Sequence, residues 1–334
     1  MGDVAMTVPV LRAFVKQYPE VKLTVISRPF FKPFFDGIPN LDFFAFDEKE
    51  RHKGFLGLVR LFKDVSKLKV DAFADLHNVL RSKIVGSLFA LSGKKRATVD
   101  KGREGKKELT RAENKIFKQL PTMFERHVKV FEELGFSIDL SSRNFGTQFP
   151  EKAALSKDIL EIIGNENQKL IGIAPFAQYD SKVYPLDLMK EVVAKLAENS
   201  SYKILLFGGG KKEIEILDSI AQPFENVINM AGKIKFQQEL QLISNLDVML
   251  SMDSGNAHIA AILGVKVITL WGATHPYAGF LPFNQSLENA LTSDRNQYPQ
   301  LPTSVYGNKT VEGYEDAMRT ISPDEIVQKI QLSI

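Results

Sequence analysis

The chain contains no cysteine, which excludes disulfides, thiolate zinc sites, iron–sulfur clusters and a cysteine nucleophile. A reducing compartment is the simplest setting for such a composition. No stretch approaches about eighteen uninterrupted apolar residues, so no bilayer-spanning helix is expected. The start carries no apolar core of a signal peptide, because Asp3 and Pro9 interrupt it. Charge of one sign is not in excess: 43 Lys and Arg against 40 Asp and Glu leave +3. No global field therefore argues for nucleic acid as a partner. The five histidines, His52, His77, His127, His258 and His275, show neither H-x-x-x-H nor H-E-x-x-H spacing, so no metal site is expected. Glycine motifs are incomplete as well. Gly208-Gly209-Gly210-Lys211-Lys212 lacks the Walker spacing and its Lys-Ser/Thr pair, and no G-x-G-x-x-G follows a strand. These glycines are assigned to a tight turn and close packing.

What is present is an ordinary globular composition, 44% hydrophobic and 25% charged, which excludes extended disorder as the main character of the chain. Its 334 residues suit about two domains. In the first half, apolar strand segments (Val21–Ser27, Leu41–Phe46, Asp71–Asp75) alternate with helical patterns (Phe55–Lys67, Asn78–Leu91, Thr122–Leu134). In the second, strands are expected at Leu170–Ala174, Tyr202–Phe207, Val227–Asn229, Val248–Ser251 and Val265–Trp271. Helices are expected at Asp187–Glu198, Lys212–Ile220, Phe236–Asn245 and His258–Leu263. That alternation predicts two α/β domains, each a doubly wound parallel sheet. The expected bounds are 1–155 and 156–320, with a linker near 145–168. Ser322 caps a final helix in 321–334, whose apolar stripe is expected to pack back on the first domain. A first domain that opens on a helix lacks the strand such a helix ordinarily follows, which predicts about ten more residues before Met1. Residues 93–118 hold ten Lys or Arg against four Asp or Glu. They read either as a solvated loop running into a polar helix or as a basic rim facing an anionic acceptor or membrane surface.

The sharpest local feature is Asp253-Ser254-Gly255-Asn256-Ala257-His258, between a strand and an Ala-rich helix. Gly255 permits close approach of a ligand, Ser254 and the helix-start amides suit phosphate oxygens, and His258 lies within reach of the same group. A plain helix cap explains the pattern equally well. After the strand ending at Ala174, Gln178 and Ser181 supply donors and Lys182 a cation suited to a diphosphate leaving group. Asp3, in a glycine-led turn at a helix start, is either a cap or a general base. His77 falls just after a strand end, and His275 in the loop after Trp271-Gly272.

In order along the chain, Gly2-Asp3-Val4 to Pro9, Asp75-Leu76-His77-Asn78 to Arg81-Ser82, Lys182 with Tyr184-Pro185, Leu206 to Gly209, Ala231-Gly232-Lys233, Asp253-Ser254-Gly255 with His258, and Trp271-Gly272-Ala273-Thr274 resemble family 9 glycosyltransferases. These are the lipopolysaccharide heptosyltransferases. The resemblance implies a GT-B fold of two Rossmann-like domains, with the first N-terminal strand missing here. It implies an inverting, metal-independent transfer from ADP-L-glycero-D-manno-heptose to a lipopolysaccharide core acceptor, with no cofactor. By that resemblance Asp3 is the catalytic base. Lys182, with Gln178 and Ser181 beside it, meets the donor phosphates. Asp253 contacts the donor sugar, while Ser254, Gly255 and His258 form the diphosphate turn. His77 and Arg81 are acceptor-side candidates. Closure of the two domains is expected to assemble the site. Three positions depart from the family: Ala177 and Gln178 stand where hydroxyl residues are common, and Tyr184 where tryptophan is. The implied setting is cytoplasmic, peripheral to the inner face of the inner membrane through residues 93–118. Alternatives are another nucleotide sugar on the same fold, a non-catalytic nucleotide-sugar-binding protein, and a nucleotide-sugar epimerase of related fold.

Overall fold

A computed structural model of the chain describes residues 1–141, 152–164 and 168–334. They divide into two compact units, one built from Asp3–Arg103 with residues 121–141, the other from Glu104–Leu120 with the described residues from 152 onward. The loop expected over 145–168 lies partly outside the described residues. What is described there includes a helix that the sequence reading missed, Lys157–Ile163, with Ile159 and Ile163 buried.

In the first unit, α1 (Gly2–Ala5) and α2 (Val8–Gln17) precede β1 (Leu23–Ser27) and β2 (Leu41–Ala45). Then come α3 (Gly54–Ser66), β3 (Ala72–Asp75), α4 (Leu80–Leu91) and β4 (Lys95–Thr98). After α5 (Arg103–Thr110), α6 (Met123–Glu133) returns to this unit. The sequence sets the start of α6: the Thr122 hydroxyl accepts the Glu125 N–H, and the Glu125 carboxylate accepts the Thr122 N–H, a reciprocal cap. α2 places Phe14 against Phe131 of α6 and against Phe136, with ring centroids 4.8 and 5.2 Å apart. β1 runs parallel to β2 and β3 parallel to β4, in two separate two-stranded sheets. Among the described residues, β1 and β3 each keep one edge without a strand partner, and most strand residues here are only half-buried.

The second unit follows the doubly wound plan with six parallel strands. Its elements are α7 (Lys157–Ile163), β5 (Lys169–Ala174), α8 (Leu186–Ala197), β6 (Tyr202–Leu206) and α9 (Lys211–Ala221). They continue with β7 (Val227–Asn229), α10 (Phe236–Ile243), β8 (Val248–Met252), α11 (Gly255–Ile262), β9 (Lys266–Trp271), β10 (Ala290–Thr292) and α12 (Pro323–Gln331). The strand order is β10-β9-β8-β5-β6-β7, so the chain starts in the middle and winds first to one edge, then to the other. The order reverses between β5 and β8, which are paired from Ile171–Val248 to Ala174–Ser251. In such sheets ligands bind at the carboxyl end of the strands, at this reversal. β8 is buried along its whole length, as a central strand covered on both faces must be.

Two expectations are corrected. The basic stretch 93–118 does run into a polar helix, α5, but no plain loop precedes it: the stretch contains strand β4, and its later part, from Glu104, belongs to the second unit. The reason is local packing. Phe117 packs edge-on against His275 and tilted against Tyr277, and the Leu120 N–H bonds to the Tyr277 carbonyl. The second sheet has six strands, not five, because the short edge strand β10 joins β9. The final helix, α12, packs within the second unit. Ile326, Val327 and Ile330 enter the core of the second unit with Val192, Val193 and Leu196 of α8, and Lys195 pairs with Asp324.

Candidate active site

At the carboxyl end of β5, one turn of 3-10 helix, Asp180–Lys182, brings Lys182 inward. At the end of the neighbouring β8, the chain turns through Asp253 and Ser254 into α11. The Lys182 ammonium lies 2.9 Å from Asp253 Oδ2, with only 12% and 8% of the two side chains exposed. The Thr274 hydroxyl, from the end of β9, donates to the same Oδ2 at 2.9 Å. A pair so withdrawn from water is held in register by its geometry and by that third group.

The loop 303–307 closes this arrangement. Ser181 Oγ donates to the Gly307 carbonyl at 2.6 Å, the Ala273 N–H donates to the Ser181 carbonyl, and the N–H groups of Thr303 and Ser304 both donate to the Ala273 carbonyl. Gly307 has φ +86°, and a Cβ there would fall 2.4 Å from Lys182 Cδ, so only glycine lets the loop lie against the lysine stem. Thr274 and Gly307 are site residues that sequence reasoning missed. Thr274 stood inside a motif that was noted for its resemblance alone, and Gly307 sits in a stretch with no strand or helix to mark it.

At α11 the plain-cap reading of Ser254 does not hold. Ser254 occupies the cap position, yet its side chain caps nothing and instead lies 3.1 Å from Ser251 Oγ. The first amides of α11 thus have no side-chain cap, the condition under which a helix start holds an anion. Gly255 is the first residue of this helix, and His258, also on it, is buried. Gln178 lies on the same side of the sheet but is exposed, and no hydrogen bond ties it to Lys182 or Asp253. The glycine run after β6 has its assigned structural role: Gly210 takes φ +83° before α9, Gly208 packs near Leu217, and the Gly209 N–H bonds Glu213. Tyr184 is fully buried, and its hydroxyl donates to the Ile321 carbonyl at 2.6 Å. Burial, with the charges of Glu191 and Asp187, raises its phenol well above the usual range.

In the first unit, Asp3 lies in the single turn α1, with its carboxylate largely exposed. It does not cap α2, whose cap position is Thr7. The nearest charged partner is His77, Nε2 to Asp3 Oδ2 at 3.9 Å. Burial lowers the His77 pKa, against the raising effect of Asp3. Buried Asp75 shapes the loop that presents His77, its Oδ1 accepting the N–H groups of His77 and Asn78 at 3.1 and 2.7 Å. Arg81 is engaged elsewhere: it donates to Glu48 at 2.6 Å and stands over the Phe46 ring. Of the two acceptor-side candidates, only His77 is therefore brought to Asp3. His275 is not a surface side chain. It is buried, its Nδ1 accepts the Tyr277 N–H, and burial depresses its pKa to about 4.

The second unit thus offers a buried cation, an uncapped helix start and a histidine at one sheet reversal. Such a set can hold a diphosphate and stabilise the charge that develops on it as a leaving group. The first unit offers an exposed carboxylate beside an imidazole, able to take a proton. Among the described residues, no group of three His, Asp or Glu side chains could hold a metal ion, and no helix is long and apolar enough to cross a membrane.

Comparison with known proteins places the chain among relatives. A lipopolysaccharide core heptosyltransferase of Haemophilus influenzae, OpsX, is 25% identical over 297 residues, covering 87% of this chain and 81% of its own. Lipopolysaccharide heptosyltransferase 3 of Escherichia coli is 22% identical and covers 90% of this chain and 88% of its own. Among solved structures, a family 9 glycosyltransferase of Veillonella parvula superposes with TM-score 0.75 at 18% identity, covering 99% of this chain and 94% of its own. E. coli WaaC, solved with ADP, gives 0.66 at 19% identity, covering 100% and 97%. These likenesses support the GT-B fold. The family model of glycosyltransferase family 9 (heptosyltransferase) matches residues 58–309, more than half of the chain, which therefore belongs to that family and is a glycosyltransferase.

Proposed function

We propose that the protein transfers a heptose from ADP-L-glycero-D-manno-heptose to a lipopolysaccharide core acceptor, with inversion at the sugar carbon. The observation that carries this reading is the buried Lys182–Asp253 pair beside the uncapped start of α11, at the reversal point of the second sheet. In this reading Lys182, Ser254, His258 and the first amides of α11 hold the diphosphate, with Gln178 and Ser181 beside them. Gly255 lets it approach, and Asp253 orients the sugar. Asp3 takes the proton from the acceptor hydroxyl as that oxygen attacks the sugar carbon; the bond to the diphosphate breaks and ADP departs. His77 stands beside Asp3, its Nε2 3.9 Å from the carboxylate. The acceptor is an anionic glycolipid or oligosaccharide, and the setting is cytoplasmic, peripheral to the inner membrane.

The test is transfer itself. Purified protein, ADP-heptose and a heptose-deficient core acceptor should give a product heavier by one heptose in mass spectrometry. Asp3→Asn should lower kcat by about 10²–10⁴-fold while the Kd for ADP stays within twofold. Transfer only from a UDP- or GDP-sugar would replace heptose by another sugar. ADP-heptose binding with full turnover in Asp3→Asn would remove Asp3 from the mechanism.

A further inference from the structure

Away from the diphosphate turn, the second unit holds two cations side by side without an acid between them. Lys115 lies in the segment that leaves α5, and Arg295 follows β10. The Arg295 Nε donates to the Leu301 carbonyl at 2.9 Å, and the Lys115 ammonium donates to the next carbonyl, Pro302, at 2.8 Å. A second bond, to the Leu109 carbonyl at 2.9 Å, fixes the ammonium from its own segment. The guanidinium is fixed from its face. It stands 3.5 Å from the centroid of Phe117, which in turn packs on His275 and Tyr277. Neither cation has an ion-pair partner among the described residues, and both are only partly exposed.

Two like charges on consecutive carbonyls repel each other, and neutral oxygens offset that only in part. The consequence shows in Lys115, where burial and the charge of Arg295 bring the ammonium down to about 8. At neutral pH it still keeps its proton. The Nε bond and the ring contact use one edge and one face of the guanidinium. They leave the two terminal nitrogens as a planar fork suited to two oxygens of a phosphate or carboxylate. The ammonium likewise keeps one N–H beyond its two carbonyl bonds.

We propose that Arg295 and Lys115 form an oxyanion-binding pair for a phosphate or carboxylate group, distinct from the turn at Asp253–Gly255. This goes beyond the transfer reading and does not depend on which sugar is moved. Ring contacts connect Arg295 through Phe117 to His275, the neighbour of Thr274, which bonds Asp253.

Inorganic phosphate is the probe, titrated calorimetrically at low ionic strength into wild type, Arg295→Gln and Lys115→Gln, each with and without saturating ADP. The expected result is a phosphate Kd raised at least fivefold in both variants. If saturating ADP leaves the wild-type phosphate affinity unchanged, the oxyanion comes from another molecule. If ADP abolishes phosphate binding and binds more weakly to both variants, the oxyanion is the nucleotide's own phosphate. Both outcomes uphold the pair. Equal phosphate affinity in wild type and variants, or no phosphate binding by wild type, overturns it. Lys115→Gln also breaks a tether between two segments, so Arg295→Lys serves as the folded control. It keeps the charge, loses the fork, and should weaken phosphate less than Arg295→Gln does.

Discussion

Lys182 and Asp253 show how single residues bear on both stability and the proposed chemistry. Each is nearly withdrawn from water, so removing one leaves the other charged and unpaired. Lys182→Ala should destabilise the protein by about 3–5 kcal/mol, readable in urea unfolding, and should weaken ADP binding as well. Thr274→Val removes one hydrogen bond to the same carboxylate and should cost about 1–3 kcal/mol. Two buried histidines give the acid limb of stability its shape. Burial depresses His127 and His275 to about 4, below the ordinary 6.5. The unfolded chain therefore binds protons that the folded chain refuses. Stability is fully present above about pH 6.5 and is lost as the pH falls toward 4. His127→Gln should flatten that slope in unfolding measurements between pH 4 and 6.5. At this scale the sequence exposed the polar candidates and left their roles open. Spacing alone could not tell whether Ser254 caps α11, whether Arg81 is free, or whether His275 is surface. For Ser254 the partner, Ser251, is three residues away but pattern does not show the contact; for the other two the partner is distant in the chain, Glu48 lying 33 residues from Arg81 and Phe117 still farther from His275.

Elements were legible in proportion to their burial. Strands β5, β6, β8 and β9 are mostly buried apolar runs, and their bounds differ from the sequence reading by a residue or two. β10 has three half-buried residues at a sheet edge and offers no comparable run. β4 reads Lys-Arg-Ala-Thr; charge on an edge strand discourages pairing with other chains, and the same charge disguised it as a loop. α12 was found from its Ser-Pro start and apolar stripe, but a stripe does not say what it covers. Here it covers α8, with Ile326 fully buried. Ile326→Ala should cost about 2–5 kcal/mol, measured by urea unfolding, and should leave the ADP Kd of the folded protein unchanged.

For the whole molecule, alternation of strand and helix was enough to indicate two α/β units with parallel sheets. It could not assign residues 104–120, because a segment that leaves one unit to pack on the other has no periodicity that names its host. Phe117, Lys115 and Leu120 supply that answer through ring contacts and hydrogen bonds to residues more than 150 positions later. The identity of the moved sugar is a property of the whole site and follows from no single motif. The most direct measurement is calorimetric titration of the protein with ADP-heptose, alongside ADP, UDP and GDP. The account predicts that ADP-heptose binds, that ADP binds well ahead of UDP and GDP, and that Lys182→Ala and Asp253→Asn weaken both adenine ligands. Equal binding of the three nucleotides, or ADP-heptose binding unaffected by either substitution, would contradict it.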